Sequence, residues 1–300
     1  MPDTLLSVSH LVRRYESFVA VDDLSFEVYR GEIFGLLGPN GAGKTTTIRT
    51  IMGIFEPDSG TVSILGKPPE RARAHTGYLP EERGLYRDLK VLDVLVYLAE
   101  LKGLSRSEAN RRAEAWLARV DLADRARDKV KDLSGGLQQK LQLAAAMVHD
   151  PDLLVLDEPF QALDPVNVDL VKTMIRQLRS EGKTIILSAH QMNLVEALCD
   201  RIILIDNGRA VLYGVLAEIK ERYAARTIRL RAASLPAQVP GVVRVEPGEN
   251  QSFILYLDGA SPQDVLSALI ASHVDIETFE VGTAPLEEIF ISAVREHHHA

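Results

Sequence analysis

Cysteine is nearly absent from this chain of 300 residues, since Cys199 is the only one. A single thiol cannot form an internal disulfide, so the fold does not depend on covalent cross-links and a reducing compartment is expected. We predict that Cys199 is a small apolar residue of the core, on a helix, rather than a redox centre.

Long apolar runs and an excess of positive charge are also missing. Charges interrupt every apolar stretch before it reaches the roughly 20 residues that span a bilayer. Residues 1–5 lack the basic-then-apolar layout of a signal peptide, so we expect a cytosolic protein whose membrane role, if any, arises through a partner. The 42 acidic residues outnumber the 34 basic ones, for a net charge of −8, which argues against a nucleic-acid partner.

What remains is an ordinary globular composition, with 46% hydrophobic and 25% charged residues and a length that suits one large or two modest domains. Two alternating segments predict antiparallel strands with one solvated face, namely 5–9 and 20–28. Wholly apolar runs predict parallel strands covered on both faces, at 153–156 and 184–187. Asn207-Gly208 between two apolar runs predicts a hairpin. The predicted helices are 91–99, 107–120, 136–148 and 166–178.

The region beyond residue 222 is predicted to form a separate small domain. Its predicted strands are 227–231, 242–245, 253–257 and 276–281, and its predicted helices are 262–271 and 285–294. With a degenerate helix at 232–241, this order resembles a ferredoxin-like βαββαβ unit. Three histidines at 297–299 are interpreted as a loose tail rather than a metal site.

The most informative segment is Gly38–Thr45, which satisfies the phosphate-loop pattern G-x-x-x-x-G-K-[ST]. It follows the apolar run 33–37, a predicted buried strand, and precedes the predicted helix 46–52. Glycines allow the tight turn that points several N–H groups at a phosphate, and the helix N-terminus adds partial positive charge. Lys44 is predicted to reach the β- and γ-phosphates, and Thr45 to offer its hydroxyl to Mg²⁺.

Two adjacent carboxylates end the predicted strand 153–156. Asp157 can bind Mg²⁺ directly or through water. Glu158, one residue further on, can polarise a water molecule for attack on the γ-phosphate. The alternative, in which both acids merely cap the turn at Pro159, is disfavoured by the phosphate loop elsewhere in the chain.

A second segment suited to phosphate binding places Ser134, Gly135 and Gly136 immediately before a predicted helix. Because one chain needs only one such segment per γ-phosphate, a second one predicts that two chains meet, each presenting this helix to the nucleotide of the other. Taken alone, the segment is better explained as an ordinary helix cap with a glycine turn.

Together these motifs closely resemble the ATP-binding cassette (ABC) family. Residues 38–45 resemble its Walker A motif, 153–158 its Walker B motif and 133–138 its signature motif. The order and spacing of the motifs agree with the family from about residue 5 to residue 213.

Three further positions fit the same family. Ala162–Asp164 occupy the place of its D-loop, His190 matches the switch histidine that senses the γ-phosphate, and Tyr15 matches the aromatic residue that stacks on adenine. The resemblance implies ATP and Mg²⁺ as ligands, with Lys44, Glu158 and His190 in catalysis. The implied metal contacts are Thr45, Glu81 and Asp157. The implied nucleotide contacts are Tyr15, Gly38, Pro39, Asn40, Gly41, Ala42, Gly43, Lys44, Thr45, Thr46, Ser134, Gly135, Gly136 and Asp164.

The fold that the resemblance implies is an α/β P-loop NTPase. It would have a RecA-like core, an antiparallel β-subdomain and a helical subdomain at about 85–150, together forming a nucleotide-binding domain over 1–222. A small α+β ferredoxin-like accessory domain would then occupy 223–300.

Two positions depart from the family pattern. Glu81 stands where the family usually has a glutamine that contacts Mg²⁺ and the attacking water. A carboxylate can also bind Mg²⁺, but it adds negative charge beside the phosphates. The signature motif usually ends in glutamine where this chain has Leu137, so a donor to the facing nucleotide is lost unless Gln138 substitutes. Both departures bear on the rate of turnover more than on ATP binding.

The resemblance implies an ATP-hydrolysing transporter subunit. In the family, two nucleotide-binding domains, identical or different, close head to tail around two ATP molecules and drive a separate integral membrane permease. The C-terminal segment 284–290 resembles the tail of ABC-2-type exporter subunits, and 77–86 resembles the sodium-extrusion branch. Export of an unidentified substrate, with the subunit peripheral at the inner face of the cell membrane, is therefore expected.

Two alternatives remain open. A soluble ABC-family ATPase acting on ribosomes or DNA usually carries two cassettes or a long insertion, with basic patches, and this chain has neither. A weakly hydrolysing nucleotide switch is motivated by Glu81 and Leu137, although the presence of Glu158 and His190 argues against it.

Overall fold

The computed structural model describes residues 3–82, 84–161, 163–224, 227–236, 238–248, 252–257, 259–282 and 285–299, without the side chains of residues 224 and 296–299. The tail prediction for 297–299 therefore concerns side chains outside the described set. Contacts divide the chain into two units, 1–213 and 214–300. This division falls nine residues before the sequence-based boundary at 222.

The first unit alternates strands and helices. In chain order these are β1 (Thr4–Tyr15), β2 (Phe18–Tyr29), β3 (Ile33–Leu37), α1 (Lys44–Ile51), β4 (Ser59–Ile64), α2 (Pro69–Ala72), β5 (Thr76–Leu79), α3 (Val91–Leu101), α4 (Arg106–Arg119), α5 (Gly135–Met147), β6 (Leu153–Leu156), α6 (Pro165–Ser180), β7 (Thr184–Ala189), α7 (Met192–Leu198), β8 (Arg201–Asp206) and β9 (Arg209–Val215).

An antiparallel sheet of three strands forms one layer, in the order β2-β1-β4. The two predicted strands of this sheet are confirmed, but both extend further than sequence alternation alone indicated, because they pair along almost their whole length. Their buried side chains join those of α1, such as Ile48 and Ile51, and of β3 in a common hydrophobic core. The core thus holds α1 between this layer and the second sheet.

The second sheet has six strands in the order β5-β6-β7-β3-β8-β9. The strands β5, β6, β7, β3 and β8 are parallel, and β6 and β7 are buried at every position. The parallel arrangement predicted for the apolar runs is thereby confirmed. The hairpin from β8 to β9 is also confirmed, with Asn207 at φ 47° and Gly208 at φ 79°, the left-handed pair that a type I′ turn requires.

The loop between β3 and α1 is held between the two sheets by close backbone approaches. A methyl group on Gly43 would overlap the carbonyl oxygen of Ala20 in β2, and one on Gly38 would overlap that of Ile205 in β8. On the other side of the loop, Gly41 faces open space. The glycines therefore let neighbouring backbone pack against the loop while one side stays accessible.

A separate helical core is built mainly from α3, α4 and α5. Leu95 of α3, Leu117 of α4 and Leu141 of α5 are fully buried in it. Ser105 caps α4 by accepting a hydrogen bond from the backbone N–H of Glu108, an interaction that stabilises a helix start by about 1 kcal/mol. The three predicted helices in this region are confirmed within two residues at each end.

The second unit is built around a four-stranded antiparallel sheet. Its elements are α8 (Leu216–Ala224), β10 (Thr227–Ala232), β11 (Val242–Pro247), β12 (Ser252–Leu257), α9 (Pro262–Ala271), β13 (Ile276–Val281) and α10 (Leu286–His299). The strand order β11-β12-β10-β13 is that of a ferredoxin-like fold, as predicted. The degenerate helix predicted at 232–241 is wrong for the described part of that segment. Pro236 and Pro240 fall within it, and each removes a helical hydrogen-bond donor.

Several smaller features complete the comparison with the sequence. The helices α2 and α8 were not predicted, and α7 was expected only as a helix of unstated bounds at Cys199. Cys199 is buried as predicted, but it lies one residue beyond the end of α7 rather than on the helix. Burial raises the pKa of its thiol, so the sulfur is a poor nucleophile. In the part of the chain that the structure describes, no helix combines the length and apolar character needed to cross a bilayer.

The close approach at Gly43 yields a stability prediction. Gly43→Ala and Gly41→Ala both place alanine at positive φ, 105° and 81°, at a cost of about 1–2 kcal/mol each. Only the first also overlaps backbone, so its free energy of unfolding should fall by about 1–3 kcal/mol more. Urea unfolding of both variants measures the difference.

The control for this comparison is Gly31→Ala, which has φ 77° and open space around it. It should behave like Gly41→Ala. If all three variants lose the same free energy of unfolding, the packing of β2 against the loop does not stabilise the protein.

Candidate functional site

The candidate site lies at the carboxyl edge of the parallel sheet. The phosphate loop follows β3, Asp157 and Glu158 follow β6, and His190 follows β7, and these strands are neighbours in the order β6-β7-β3. Because the carboxyl ends of parallel strands meet at one edge, residues separated by up to 150 positions in the sequence converge there. Each of these motifs was predicted from sequence, and the structure brings them together.

Lys44 opens α1 with its side chain turned back over the loop. Its ammonium group donates to the carbonyl oxygens of Gly38 at 2.7 Å and Pro39 at 3.1 Å. Burial lowers the pKa of this lysine, and the negative charge of Glu158 opposes that effect. The ammonium thus lies beside the loop backbone that is expected to receive phosphate.

Asp157 is almost completely buried, at 1% exposure. Its Oδ1 accepts a hydrogen bond of 2.7 Å from the Ser188 hydroxyl, whereas its Oδ2 is buried without a hydrogen-bond partner among the described residues. Burial raises the pKa of this carboxyl, because desolvation disfavours the charged form, whereas the Ser188 hydrogen bond and the positive charge of Arg49 act in the opposite direction. Nearby Tyr78 is affected as well, since burial first and then the charge of Asp157 raise its pKa to about 12.

Glu158 has an unusual backbone conformation, with φ 48°. Its N–H donates to the Ser188 oxygen at 2.8 Å. Its side chain, 10% exposed, lies between two other functional groups: Oε2 is 2.9 Å from Nδ1 of His190, and Oε1 is 3.8 Å from Nζ of Lys44. A left-handed backbone at a residue other than glycine is strained by about 1–3 kcal/mol and is often found at active sites.

Glu81 follows β5, next to β6 in the sheet. Its Oε1 accepts a hydrogen bond of 3.2 Å from the side-chain amide of Gln161. The charge of Glu81 acts on both neighbours at the site, raising the pKa of Asp157 and opposing the lowered pKa of Lys44. Glu81, the residue that differs from the family's usual glutamine, is therefore close enough to affect Asp157, the predicted metal contact, and Lys44, the predicted phosphate contact.

Tyr15 ends β1 and belongs to an aromatic cluster. Its ring stacks on Phe18 with centroids 5.4 Å apart, and the guanidinium of Arg13 lies 5.3 Å from its centroid. Phe18 begins β2, two residues before the Ala20 carbonyl that packs on the phosphate loop, and is 57% exposed. The cluster presents exposed aromatic surface near the start of α1, as a base-stacking site would require.

The signature segment begins α5. Ser134 caps the helix by accepting from the N–H of Leu137 at 3.4 Å. Leu137 packs against the helical core, and the Gln138 amide donates to the carbonyl oxygens of Val130 and Leu133. In this conformation Gln138 does not replace the missing glutamine donor, because its N–H groups are already engaged.

Asp164 is the N-cap residue of α6, and its side chain accepts hydrogen bonds from the first turn of that helix. Its Oδ1 accepts from the N–H groups of Val166 and Asn167, both at 3.0 Å. These hydrogen bonds, first those from Asn167, lower the pKa of the Asp164 carboxyl. Its predicted nucleotide contact is untested. The D-loop prediction also includes Ala162, which lies outside the described residues.

The donor set suits a hydrated metal ion better than an all-protein metal site. Among the described residues there is no cluster of three or more histidine, cysteine, aspartate or glutamate side chains able to hold a metal. The buried and unpartnered Oδ2 of Asp157 is nevertheless what an oxygen-ligated cation would satisfy. These residues fit Mg²⁺, which usually takes one or two carboxylates and completes its shell with water and phosphate oxygens.

Sequence reasoning missed three residues that the structure adds to the site: Phe18, Gln161 and Ser188. The alternation of β2 gave no reason to separate Phe18 from other strand residues. Ser188 contacts Asp157 and Glu158 across about 30 positions of sequence. Its only visible signal was a polar residue directly after the apolar run 185–187 of β7.

Among the matches to known protein families, two lie in different parts of the chain and together cover most of it. Residues 21–161 match the family described as ABC transporter. Residues 214–294 match the family described as the C-terminal domain of DrrA1-3-like ATP-binding proteins. The two matches fall on either side of the boundary between the structural units.

Individual relatives agree with these matches. An ABC transporter ATP-binding protein of Methanocaldococcus jannaschii is 47% identical over 73% of this chain and 80% of its own. A Nod factor export ATP-binding protein I of Ralstonia nicotianae is 37% identical over 88% of this chain and 84% of its own. The solved structure of an ATP-binding subunit of an ABC transporter is 35% identical, with a TM-score of 0.67 over 73% of this chain and 93% of that one.

The environment of Asp157 predicts that one substitution will stabilise the protein without nucleotide and also abolish its response to Mg²⁺. Asp157→Asn should raise the melting temperature of the protein without nucleotide, because the amide keeps the acceptor for Ser188 and removes a buried charge. Since the carboxyl pKa is raised in the folded state, the gain should be largest at neutral pH and shrink as pH falls through that pKa. The same variant should lose the Mg²⁺-dependent part of stabilisation by ATP.

Asp164→Asn is the matched control, measured by the same thermal unfolding series. Hydrogen bonds lower the pKa of this carboxyl in the folded state, so its charge stabilises the fold above its unfolded pKa and the amide should not raise the melting temperature. A lower melting temperature for Asp157→Asn at neutral pH would contradict the interpretation of Asp157 as a buried carboxylate whose charge destabilises the fold through desolvation.

Proposed function

This chain belongs to the ABC transporter family of ATP-binding subunits, and we propose that it powers the export of a substrate through a separate integral membrane permease. The observation that carries the proposal is the position of Glu158, with one carboxylate oxygen toward Lys44 and the other hydrogen-bonded to His190. A base held between a phosphate-binding lysine and a histidine is suited to ATP hydrolysis.

Nucleotide binding is proposed to begin at the phosphate loop. The phosphates would accept charge-assisted hydrogen bonds from the Lys44 ammonium and from the backbone N–H groups of residues 38–46 other than Pro39, which has none. Adenine would stack on Tyr15, a contact that stabilises binding by about 1–3 kcal/mol. Support for this arrangement is the open side of the loop at Gly41 and the exposed aromatic surface at Phe18.

The residues proposed to hold Mg²⁺ are Thr45, Asp157 and Glu81. When bound, the ion supplies positive charge that offsets the negative charge on the phosphate oxygens. The proposal for Asp157 rests on its unpartnered Oδ2, and that for Glu81 on its electrostatic influence on Asp157.

Glu158 is proposed to act as the general base. It would accept a proton from water as the water oxygen bonds to the γ-phosphorus, while the bond from that phosphorus to the leaving oxygen of ADP breaks. His190, hydrogen-bonded to Glu158 at 2.9 Å, holds the carboxylate in place and is proposed to contact the γ-phosphate. General-base assistance of this kind contributes about 10²–10⁴ in rate.

Coupling to transport is proposed to require a second cassette, identical or different. Ser134, Gly135 and Gly136 at the start of α5 would face the nucleotide of the partner cassette, with Asp164 near the interface. Closure around ATP and opening after hydrolysis would bias the permease between two states. Export as the direction is supported by the Nod factor export relative. The subunit would be cytoplasmic and held at the inner face of the membrane by its permease.

A weakly hydrolysing nucleotide switch is the second candidate. It is favoured by the carboxylate at Glu81, by the packing of Leu137 into the helical core, and by the engaged amide of Gln138. A steady-state turnover no faster than that of the Glu158→Gln variant would favour this candidate over the motor.

Glu158→Gln should slow ATP hydrolysis by about 10²–10⁴ and leave ATP binding intact. Because hydrolysis no longer opens the closed state, MgATP should shift this variant from monomer to dimer. Phosphate release measures the first effect, and light scattering with and without MgATP measures the second.

Glu114→Gln on the exposed side of α4 is the charge-matched control, and it should hydrolyse ATP normally and dimerise no more than the native chain. A Glu158→Gln variant that binds ATP but stays monomeric would contradict a homodimer and point to a different partner cassette. One that still hydrolyses ATP at the native rate would contradict the role of Glu158.

A further inference from the structure

The hydroxyl of Ser188 hydrogen-bonds both of the consecutive acids after β6, Asp157 and Glu158. It lies in β7, which pairs with β6 so that Leu187 is opposite Leu156. The side chain is fully buried, at 0% exposure. A hydroxyl has one hydrogen to give, and here that hydrogen goes to Asp157 Oδ1 at 2.7 Å, while the oxygen accepts the N–H of Glu158 at 2.8 Å.

We propose that Ser188 is a positioning residue for ATP hydrolysis, which fixes Asp157 and Glu158 relative to each other through its hydroxyl. This inference rests on the roles proposed above for those two acids. It adds Ser188, which lies outside the motif 153–158 to which both acids belong.

The first part of the proposed role concerns the metal contact. The hydrogen bond from Ser188 occupies Oδ1 and fixes the carboxylate plane, whereas Oδ2 is buried without a hydrogen-bond partner among the residues that the structure describes. A carboxylate held by such an outer contact presents one defined oxygen to a cation, and loss of outer contacts of this kind typically costs 10–100-fold in metal affinity or activity.

The second part concerns the base. The backbone of Glu158 is left-handed, at φ 48°, a conformation that needs support from its surroundings. The hydrogen bond from its N–H to Ser188 provides such support, and it sets the direction in which the side chain leaves the strand, toward Lys44 and His190. Without that bond the N–H would be left unpaired and the backbone would be free to relax toward a commoner conformation.

The same strand offers a matched comparison at its other end. Thr184 is also fully buried, and its hydroxyl oxygen accepts a backbone hydrogen bond, from the N–H of Gly31 at 2.9 Å. Thr184 begins β7 whereas Ser188 lies near its carboxyl end. Thr184→Val therefore removes a buried hydroxyl and its hydrogen bond without touching the site.

The test compares Ser188→Ala, Ser188→Thr and Thr184→Val in the full chain. For Ser188→Ala we expect kcat to fall about 10–100-fold, with a similar weakening of the Mg²⁺-dependent part of ATP affinity. ATP affinity measured in EDTA should change less than twofold, because Lys44 and the loop are intact. Ser188→Thr restores a hydroxyl and should recover most of kcat. Titration of a fluorescent ATP analogue with and without Mg²⁺ gives the affinities independently of turnover.

Two results would overturn the proposal. One is a Ser188→Ala variant whose kcat and Mg²⁺ response stay within twofold of native. The other is a Thr184→Val variant that loses kcat as severely, since that would assign the effect to general destabilisation of β7. If Ser188→Thr fails to fold, these two comparisons still decide the matter.

Failure of this inference is distinguishable from failure of the proposed function. If Ser188→Ala hydrolyses ATP normally and Glu158→Gln does not, only the proposed role of Ser188 is contradicted. If Glu158→Gln still hydrolyses ATP, the assignment of Glu158 as the base is contradicted, whatever the activity of Ser188→Ala.

Discussion

The site depends on keeping the Asp157 carboxylate charged inside the protein. At 1% exposure and with one oxygen unpartnered, this charge is opposed by desolvation and further by the nearby acids Glu81 and Glu158. The hydrogen bond from Ser188 acts in the opposite direction, and Lys44 brings positive charge to the same edge of the sheet, 3.8 Å from Glu158. Three carboxylates, Glu81, Asp157 and Glu158, act here against two cations, Lys44 and Arg49, and a region with this balance is suited to a ligand that arrives with a divalent metal.

The geometry around that charge comes from backbone packing rather than from long side chains. Three adjacent parallel strands end at one edge, so their following residues need no further element to bring them together. The loop is fixed from two sides, by the carbonyls of Ala20 and Ile205, at positions where only glycine fits. Rigid positioning of this kind costs no reorganisation when the substrate binds, which is the condition for efficient electrostatic stabilisation of a transition state.

The motifs of the site could be predicted from the sequence because their chemistry restricts residue type and spacing: a glycine loop before Lys44, and acids at the end of an apolar strand. The supporting contacts could not. Ser188 reaches its partners only through the pairing of β6 with β7, and the left-handed backbone of Glu158 has no sequence signal, since glutamate rarely adopts it. In the second unit the strand order was predictable from the alternation of elements. The prediction of a helix at 232–241 was wrong for the described part of that segment, because Pro236 and Pro240 cannot donate the backbone hydrogen bonds that a helix needs.

The backbone conformation of Glu158 has an evolutionary consequence. Glycine or asparagine tolerates positive φ better than glutamate does, so mutations at this position can relieve strain while removing the base. Its neighbour Asp157 is similar, since any neutral residue of the same shape escapes the desolvation that the carboxylate suffers. Substitutions at these two positions that stabilise the fold therefore reduce hydrolysis. In a lineage under no selection for ATP turnover, we expect Asp157 and Glu158 to be among the first residues of the site to be replaced.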